Sequence, residues 1–347
     1  MTRFAWLQAR NQTVLVALAV AALAAVAAVT GVQLAHWEAA HLTHCRTGCD
    51  LVSNQFVSRQ GFLQNALDLL AQTAPALIGV FWGAPLIARE LESGTFRLAW
   101  TQTVTRSRWL VTRLALVSFI ATAVAGVLTL TITWWYRGLD RVGSNQYALF
   151  DRRGVVPVAY SLFALTTGAF LGAAIRRTVP TMAATLGLFV VTRVVTAFWV
   201  RPHLLPAHTL TSALGTGRFG ITSRSGSGLS LVADGSGPRE SWRLSSRIVT
   251  TSGQTPSSGQ LSAFLHQYCA TVGAPPPSVG EHRIARVVGP DAGRECLDQA
   301  ARTFKVVVRY LPADRYWALQ WLEAGVFVGL ALLAAGGCFW WVTRRSS

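Results

Sequence analysis

Apolar residues in this chain gather into long uninterrupted runs, separated by short polar segments and one long one. A helix crossing ~30 Å of hydrocarbon at ~1.5 Å per residue needs ~20 apolar residues. Six stretches meet that length: Val14–Leu34, Leu69–Ala88, Leu114–Tyr136, Val155–Ile175, Val179–Val200 and Trp317–Thr343. The second is ragged at its start and interrupted by Pro75 and Pro85. A membrane helix tolerates such prolines when neighbouring helices satisfy the freed carbonyls. The pattern predicts an all-α polytopic membrane protein: six transmembrane helices, with a small mixed external cap between spans five and six. The other reading of the first run is a cleaved signal peptide, with candidate cleavage sites in Ala35–Ala40. The run is longer than the ~7–15 apolar residues usual for such peptides.

The arginines set the orientation, because cytoplasmic loops are enriched in Lys and Arg. Arg3 and Arg10 precede span one. Arg89, Arg97, Arg106, Arg108 and Arg113 lie between spans two and three, Arg176 and Arg177 between four and five, and Arg344 and Arg345 after six. With six spans all four groups fall on one side, so the chain is expected in the cell membrane with both termini cytoplasmic. The opposite short loops hold Arg46 and Arg59, and Arg137, Arg141, Arg152 and Arg153. The last group runs against the pattern and is partly offset by Asp140 and Asp151. Trp134, Trp135, Trp199, Trp317, Trp340 and Trp341 mark span ends as an aromatic belt does.

The expected organisation follows. Residues 1–13 form a cytoplasmic interfacial helix, with Phe4, Trp6 and Leu7 between Arg3 and Arg10. Residues 14–200 carry spans one to five, residues 201–316 the external cap, and residues 317–347 span six and a cytoplasmic tail. Within the cap, the Ser/Gly/Thr-rich stretch up to Gln260 predicts loop or short strands. Helices are expected over Ser262–Cys269 and Gly293–Phe304, parted by Pro275-Pro276-Pro277.

Composition narrows the function. The net charge is +16, yet only 13% of residues are charged, about half the share of a soluble domain. The arginines sit at span ends, where topology accounts for them, so no nucleic-acid partner is expected; the lipid bilayer is the partner. Lys305 is the only lysine and Val306 follows it, so the chain has no P-loop, which must end in Lys-Ser or Lys-Thr. No zinc-protease His-Glu-x-x-His and no Gly-x-Ser-x-Gly elbow occurs.

Four cysteines, Cys45, Cys49, Cys269 and Cys296, fall on the side where disulfides persist. Pairing of Cys269 with Cys296 is predicted to staple the two cap helices, and Cys45 is expected to pair with Cys49. Cys338 lies within span six as a packing residue. His36, His41 and His44 crowd Cys45 and Cys49, but the spacing matches no standard metal site, so none is expected. Two ionisable residues lie inside spans. Arg193 is six residues before Trp199 and Glu323 six after Trp317, so each sits ~9 Å below the same interface. Equal depth predicts an intramembrane ion pair. The alternative is that Arg193 snorkels to the headgroups while Glu323 meets water.

The most informative segment joins spans two and three. Span two runs into Arg89-Glu90-x-Glu92, Gly94 can end that helix, and Thr95–Thr101 suits a short amphipathic helix with Phe96, Ala99 and Trp100 on one face. Thr105 can cap span three. On residues alone, this could be an ordinary basic interfacial loop. The pattern Arg89-Glu90-x-Glu92-x-Gly94-Thr95, then Leu98, Thr101 and Thr105-Arg106-x-x-Trp109-Leu110, resembles the signature of ATP-binding-cassette (ABC) transporter permeases of the type-2 exporter class. Phe81–Glu90, Arg201-Pro202-His203 and Tyr316-Trp317-x-x-Gln320-Trp321-x-Glu323 resemble one branch of them, from high-GC Gram-positive bacteria. Arg113 stands where relatives often carry lysine.

The resemblance implies a membrane-spanning permease subunit of an exporter, with no enzymatic activity of its own. The segment would be a coupling helix, with Arg89, Glu90, Glu92, Gly94, Thr95, Phe96, Trp100 and Arg106 meeting a cytoplasmic ATPase subunit. ATP and Mg would reside on that subunit, and this chain would hold no cofactor. A second permease copy or a paralogue would complete a dimer moving an amphipathic or hydrophobic substrate. The competing expectation is a membrane-anchored sensor or assembly protein whose cap binds an extracellular ligand.

Overall fold

The computed structural model describes residues 21–22, 25–33, 36, 49–93, 106–141, 146–214, 218–224, 228–234, 238, 240–268 and 294–345. The expected interfacial helix, about half of the first apolar run, His41, His44, Cys45, Cys269, the proline triplet and the segment 94–105 lie outside them. The chain divides into two compact units, Met1–Leu204 with Tyr316–Ser347, and Leu205–Arg315.

The first unit is helical. Among the described residues five helical stretches are long and apolar enough to cross a membrane: Phe62–Glu92, Ser107–Tyr136, Val156–Ile175, Thr178–His203 and Ala313–Arg344. They match expected spans two to six. Of the first run, residues 25–33 are helical. There Ala27 is buried with Leu67, Leu128, Ile132 and Trp135, and Trp135 Nε1 donates to Thr30 Oγ1 at 3.2 Å.

Helix α1 (Cys49–Ile78) runs through a π turn, Gly79–Gly83, into α2 (Ala84–Ser93). Both prolines are accommodated: Pro75 lies within α1, and Pro85 follows the π turn, in the opening turn of α2. Helix α3 spans Arg106–Arg141. Helix α4, Val156–Ile175, carries Pro157 in its first turn, where the missing N–H has no helical partner to lose. It ends at Arg176, whose left-handed φ of 61° lets its N–H donate back to Gly172 O at 3.1 Å. Helix α5, Thr178–Val195, continues through a π turn, Thr196–Val200, and a 3-10 turn, Arg201–His203.

Helix α4 is the central post, with 67% of its apolar window buried, against 17% for Thr178–His203. Its sequence is apolar all round, as a helix surrounded by others must be. Two glycine pairs let the α1–α2 rod lie against it, backbone on backbone. A methyl on Gly79 would meet the Ala164 Cβ at 2.7 Å, and one on Gly83 the Leu165 carbonyl oxygen at 2.5 Å. Reciprocally, one on Gly168 would meet Gly79 O and Ala84 N, both at 2.7 Å, and one on Gly172 would meet Ala84 O at 2.9 Å. Gly79-x-x-x-Gly83 and Gly168-x-x-x-Gly172 are thus the small-residue seams by which membrane helices approach closely. The peripheral helices turn large apolar side chains outward, among them Val191, Phe198, Trp321 and Leu332. Hydrocarbon favours such faces.

The second unit has its own core. Strands β1 (His208–Ala213), β4 (Trp242–Thr250) and β5 (Phe304–Leu311) form an antiparallel sheet in the order β1-β5-β4, and β2 (Arg218–Arg224) pairs with β3 (Gly228–Asp234). Helices α6 (Ser258–Tyr268) and α7 (Arg294–Thr303) bring Leu261, Phe264, Leu265, Cys296 and Ala300 against Phe304, Val306 and Val308. Two expectations need correction. The second cap helix stops at Thr303, one residue short of the expected end, because Phe304–Leu311 is buried with period two, carries the β-branched Val306-Val307-Val308 and forms the central strand. The first begins earlier than Ser262, because Ser257 and Gln260 form a capping box: Gln260 N donates to Ser257 Oγ at 3.2 Å, and Ser257 N to Gln260 Oε1 at 3.0 Å.

Candidate functional site

Five polar side chains from separate elements of the helical unit converge at one end of the bundle. Helix α8, Tyr316–Arg345, supplies Glu323, which has no exposed surface. Arg201, from the 3-10 turn after α5, grips it with two hydrogen bonds, Nε to Oε2 at 2.7 Å and Nη2 to Oε1 at 2.8 Å. The same guanidinium pairs with Asp151, through Nη2 to Oδ1 and Nη1 to Oδ2 at 3.4 Å. Arg193 of α5 also donates to Asp151 Oδ1, at 3.1 Å. The Tyr160 hydroxyl of α4 hydrogen-bonds to Glu323 and lies 3.2 Å from Asp151 Oδ1. Arg193 stacks over the Tyr160 ring at 3.9 Å, and Arg201 over the Phe150 ring at 4.4 Å.

Two cations and two anions leave the cluster neutral. That matters, since each ion costs several kcal/mol to bury and tolerates burial only when paired and hydrogen-bonded. Burial by itself pushes the Asp151 carboxyl up, but the Arg193 and Arg201 guanidiniums outweigh it and hold the group below the ordinary carboxylate range. Its contribution to stability is therefore complete above that range and is lost only as the pH falls through the lowered value.

The loop before α4 distributes three consecutive charges to three places. Asp151 enters the cluster. Arg152 Nη1 donates to Asp68 Oδ2 of α1 at 2.7 Å, and the Tyr136 hydroxyl of α3 donates to the other Asp68 oxygen at 2.6 Å. Arg153 is buried and stacks on Tyr316 of α8. Gln320, wholly buried on α8, fixes this loop. Its Nε2 donates to Phe150 O at 2.9 Å and Arg153 O at 3.2 Å, and its Oε1 accepts from Val156 N at 3.2 Å. Gly154 passes so close, with φ of +84°, that a Cβ there would lie 2.7 Å from Gln320 Oε1. We expect Gln320→Leu to strand these buried groups and cost about 2–3 kcal/mol. Thermal unfolding in detergent checks this, and an unshifted midpoint would refute it.

At the other end of the bundle two carboxylates tie helices together. Glu90 of α2 pairs with Arg113 of α3, which also lies over the Trp109 ring at 5.4 Å. Glu92 accepts from both Thr178 N, at 2.9 Å, and Thr178 Oγ1, at 2.6 Å. It thereby caps the first turn of α5, where free N–H groups and the helix dipole favour an anion. The end of α2 is thus fastened to α3 and to the start of α5.

A family model described as ABC-2 membrane transporter related matches residues 17–201, more than half of the chain. The chain belongs to this family. No curated protein and no solved structure matches it. As an ABC-2-related protein it is a multi-pass membrane component of a transport system. The matched stretch takes in the Arg89–Leu110 motif and ends on Arg201; Glu323 and the second unit lie beyond it.

The sequence-derived sites of this ABC-2-related chain fare unequally. The proposed Arg193–Glu323 pair is corrected: Arg193 pairs with Asp151, and Glu323 with Arg201. Equal depth fixes the level of two side chains in a membrane, not the direction each faces, and it is the turn after α5 that brings Arg201 round to α8. Both residues nonetheless belong to one cluster. Tyr160 was not singled out in the sequence, Asp151 entered only as a charge offset, and Arg201 and Gln320 entered only as motif residues with no site assigned. Arg201 and Asp151 border apolar runs, and matching every ionisable residue at span edges, not only within spans, would have raised them.

Of the coupling residues, Arg89 and Glu92 are exposed and Glu90 is half-buried. Gly94, Thr95, Phe96, Trp100 and the Arg106 side chain lie outside the described residues. Cys296 is buried and disulfide-bonded, while Cys269, Cys45 and the Cys49 side chain lie outside them.

Proposed function

We propose that this chain is the membrane-spanning permease subunit of an ABC exporter, moving an amphipathic or hydrophobic substrate with ATP hydrolysed on a separate cytoplasmic subunit. A second copy or a paralogue completes the dimer. The nucleotide and its magnesium belong to the partner. The observation that carries this reading is the junction around 94–105, which falls within the family match. The motif-bearing segment 94–105 joins α2 to α3, and the end of α2 that leads into it is tied to α3 by Glu90–Arg113 and to the start of α5 by the Glu92 cap.

A push on that segment reaches α5 through Glu92. The far end of α5 carries Arg193, and the turns that follow it carry Arg201; these are the cations of the ionic cluster. In this orientation 94–105 is cytoplasmic and the cluster lies towards the outside, where it latches α5 to α8 in one state of the cycle. The separate core of the second unit supports the alternative, a sensor or assembly protein whose external cap binds a ligand.

Reconstitution with a cytoplasmic ABC ATPase subunit separates the two readings. The permease requires stable association, with ATP turnover that depends on it. Glu92→Arg is expected to insert normally yet lose coupled turnover. Unchanged coupling would remove Glu92 from the relay, and absence of any ATPase association would overturn the exporter reading.

A further inference from the structure

Arg193 and Arg201 converge on one carboxylate, Asp151, but their other contacts differ. Arg201 is also neutralised by Glu323, through two hydrogen bonds. Arg193 has Asp151 as its carboxylate and otherwise rests on the Tyr160 ring. The two carboxylates differ as well. Glu323 is sealed in on α8, whereas the Asp151 side chain keeps 30% of its surface exposed and stands on a loop. Asp151 is thus the one charge of the cluster that can leave without moving a helix.

We infer that Arg193 and Arg201 form a binding site for the oxyanion headgroup of an amphiphile, with Asp151 as its resident occupant until such a headgroup displaces it. That this ligand is cargo rests on the exporter reading; the binding itself does not. The exchange replaces one anion by another, so neither guanidinium is left bare in a partly buried site, the state that makes breaking such a pair costly. A planar guanidinium presents its N–H groups as a fork that suits two oxygens of a phosphate or carboxylate.

A neutral headgroup cannot make the exchange, because it would leave Arg193 unpaired. Apolar surface for the tail is at hand: Val190, Val191, Val194 and Phe198 are exposed on the same helical stretch as Arg193, within about two turns of it. Displacing Asp151 also frees its loop from Arg193 and Arg201, while the Arg201–Glu323 contact to α8 stays in place.

The test uses the full chain in phosphatidylcholine nanodiscs, with radiolabelled dodecyl phosphate as the probe and empty nanodiscs as the blank. Asp151→Asn should bind the probe about tenfold more tightly than the wild type. Adding Arg193→Gln to that variant should abolish the gain. Asp68→Asn, which removes an acid from the neighbouring ion pair, should not reproduce it. Dodecyl maltoside should fail to compete, and inorganic phosphate should compete only about a hundredfold more weakly.

Equal tightening by Asp68→Asn, no tightening by Asp151→Asn, or inorganic phosphate competing as well as the amphiphile would each overturn the proposal. The wild-type chain gives a check that does not depend on any variant folding. Carbodiimide labelling of Asp151, read by mass spectrometry, should rise when dodecyl phosphate is added, and an unchanged label would overturn displacement. Binding that behaves as expected, alongside an ATPase complex whose turnover ignores the probe, upholds the site and refutes the probe class as cargo.

Discussion

Arg201→Met is expected to cost about 3–5 kcal/mol of folded stability, the range for breaking a buried ion pair by removing one partner. The loss exceeds that of the contacts themselves. Glu323 has no exposed surface, so without Arg201 it faces the interior with only the Tyr160 hydroxyl for company. Pairing the change with Glu323→Leu should recover most of the loss, because replacing both ions by apolar groups of similar volume is often neutral or better. Unfolding midpoints of the two single variants and the double variant, measured in one detergent, form the cycle. Additive effects would mean that the two side chains do not interact.

The second large effect is expected at the glycine seam. Gly168→Leu drives a side chain into Gly79 O, Ala84 N and the Gly83 carbonyl carbon, all within 2.8 Å of even the first added carbon. All three are backbone atoms and cannot swing aside as a side-chain tip can. Overpacking a well-filled core costs about 1–3 kcal/mol and sometimes more, and this position belongs at the upper end. Gly187→Leu supplies the contrast, since nothing lies within 4 Å of a Cβ there. Its expected effect is close to zero, or a slight gain from replacing a glycine within a helix. Equal melting temperatures for the two variants would show that the helices stand further apart than described.

Much of the helical unit was legible because hydrocarbon imposes a length rule that few other pressures disturb. Both edges of α4 and the start of α5 were predicted to within a residue, since Pro157 and the Arg176–Arg177 pair punctuate runs otherwise free of breaks, whereas the run predicted to reach Val200 leaves the α-helix at Val195 and ends in a π turn. The two glycine seams were equally present in the sequence, at a four-residue spacing, but span-hunting counts glycine as neutral and passes over it. The second unit was harder to read. A strand such as β5, buried on one face, announces itself only by alternation, and the helix pattern leading up to Thr303 obscured where that alternation begins.

The ionic cluster was the least legible part. Its members stand far apart along the chain, and what brings them together is the facing of each helix, which a turn such as Thr196–Val200 resets. Linear spacing contains the depth of Arg193 and Glu323 but not the rotation that separates them. Glu92 has an intrachain contact that its motif does not announce. The motif points to another subunit, and the start of α5 in the same chain adds a second demand for the negative charge, which linear spacing does not reveal.

Surface connections between helices are the customary places to add a tag or an epitope, because few interior atoms depend on their length. The stretch leading into α4 is the exception here. Asp151, Arg152 and Arg153 are adjacent in sequence yet each answers to a different helix, so a single extra residue among them would present every charge to its neighbour's destination. That stretch behaves like a reading frame, in which spacing carries the meaning and the letters alone do not.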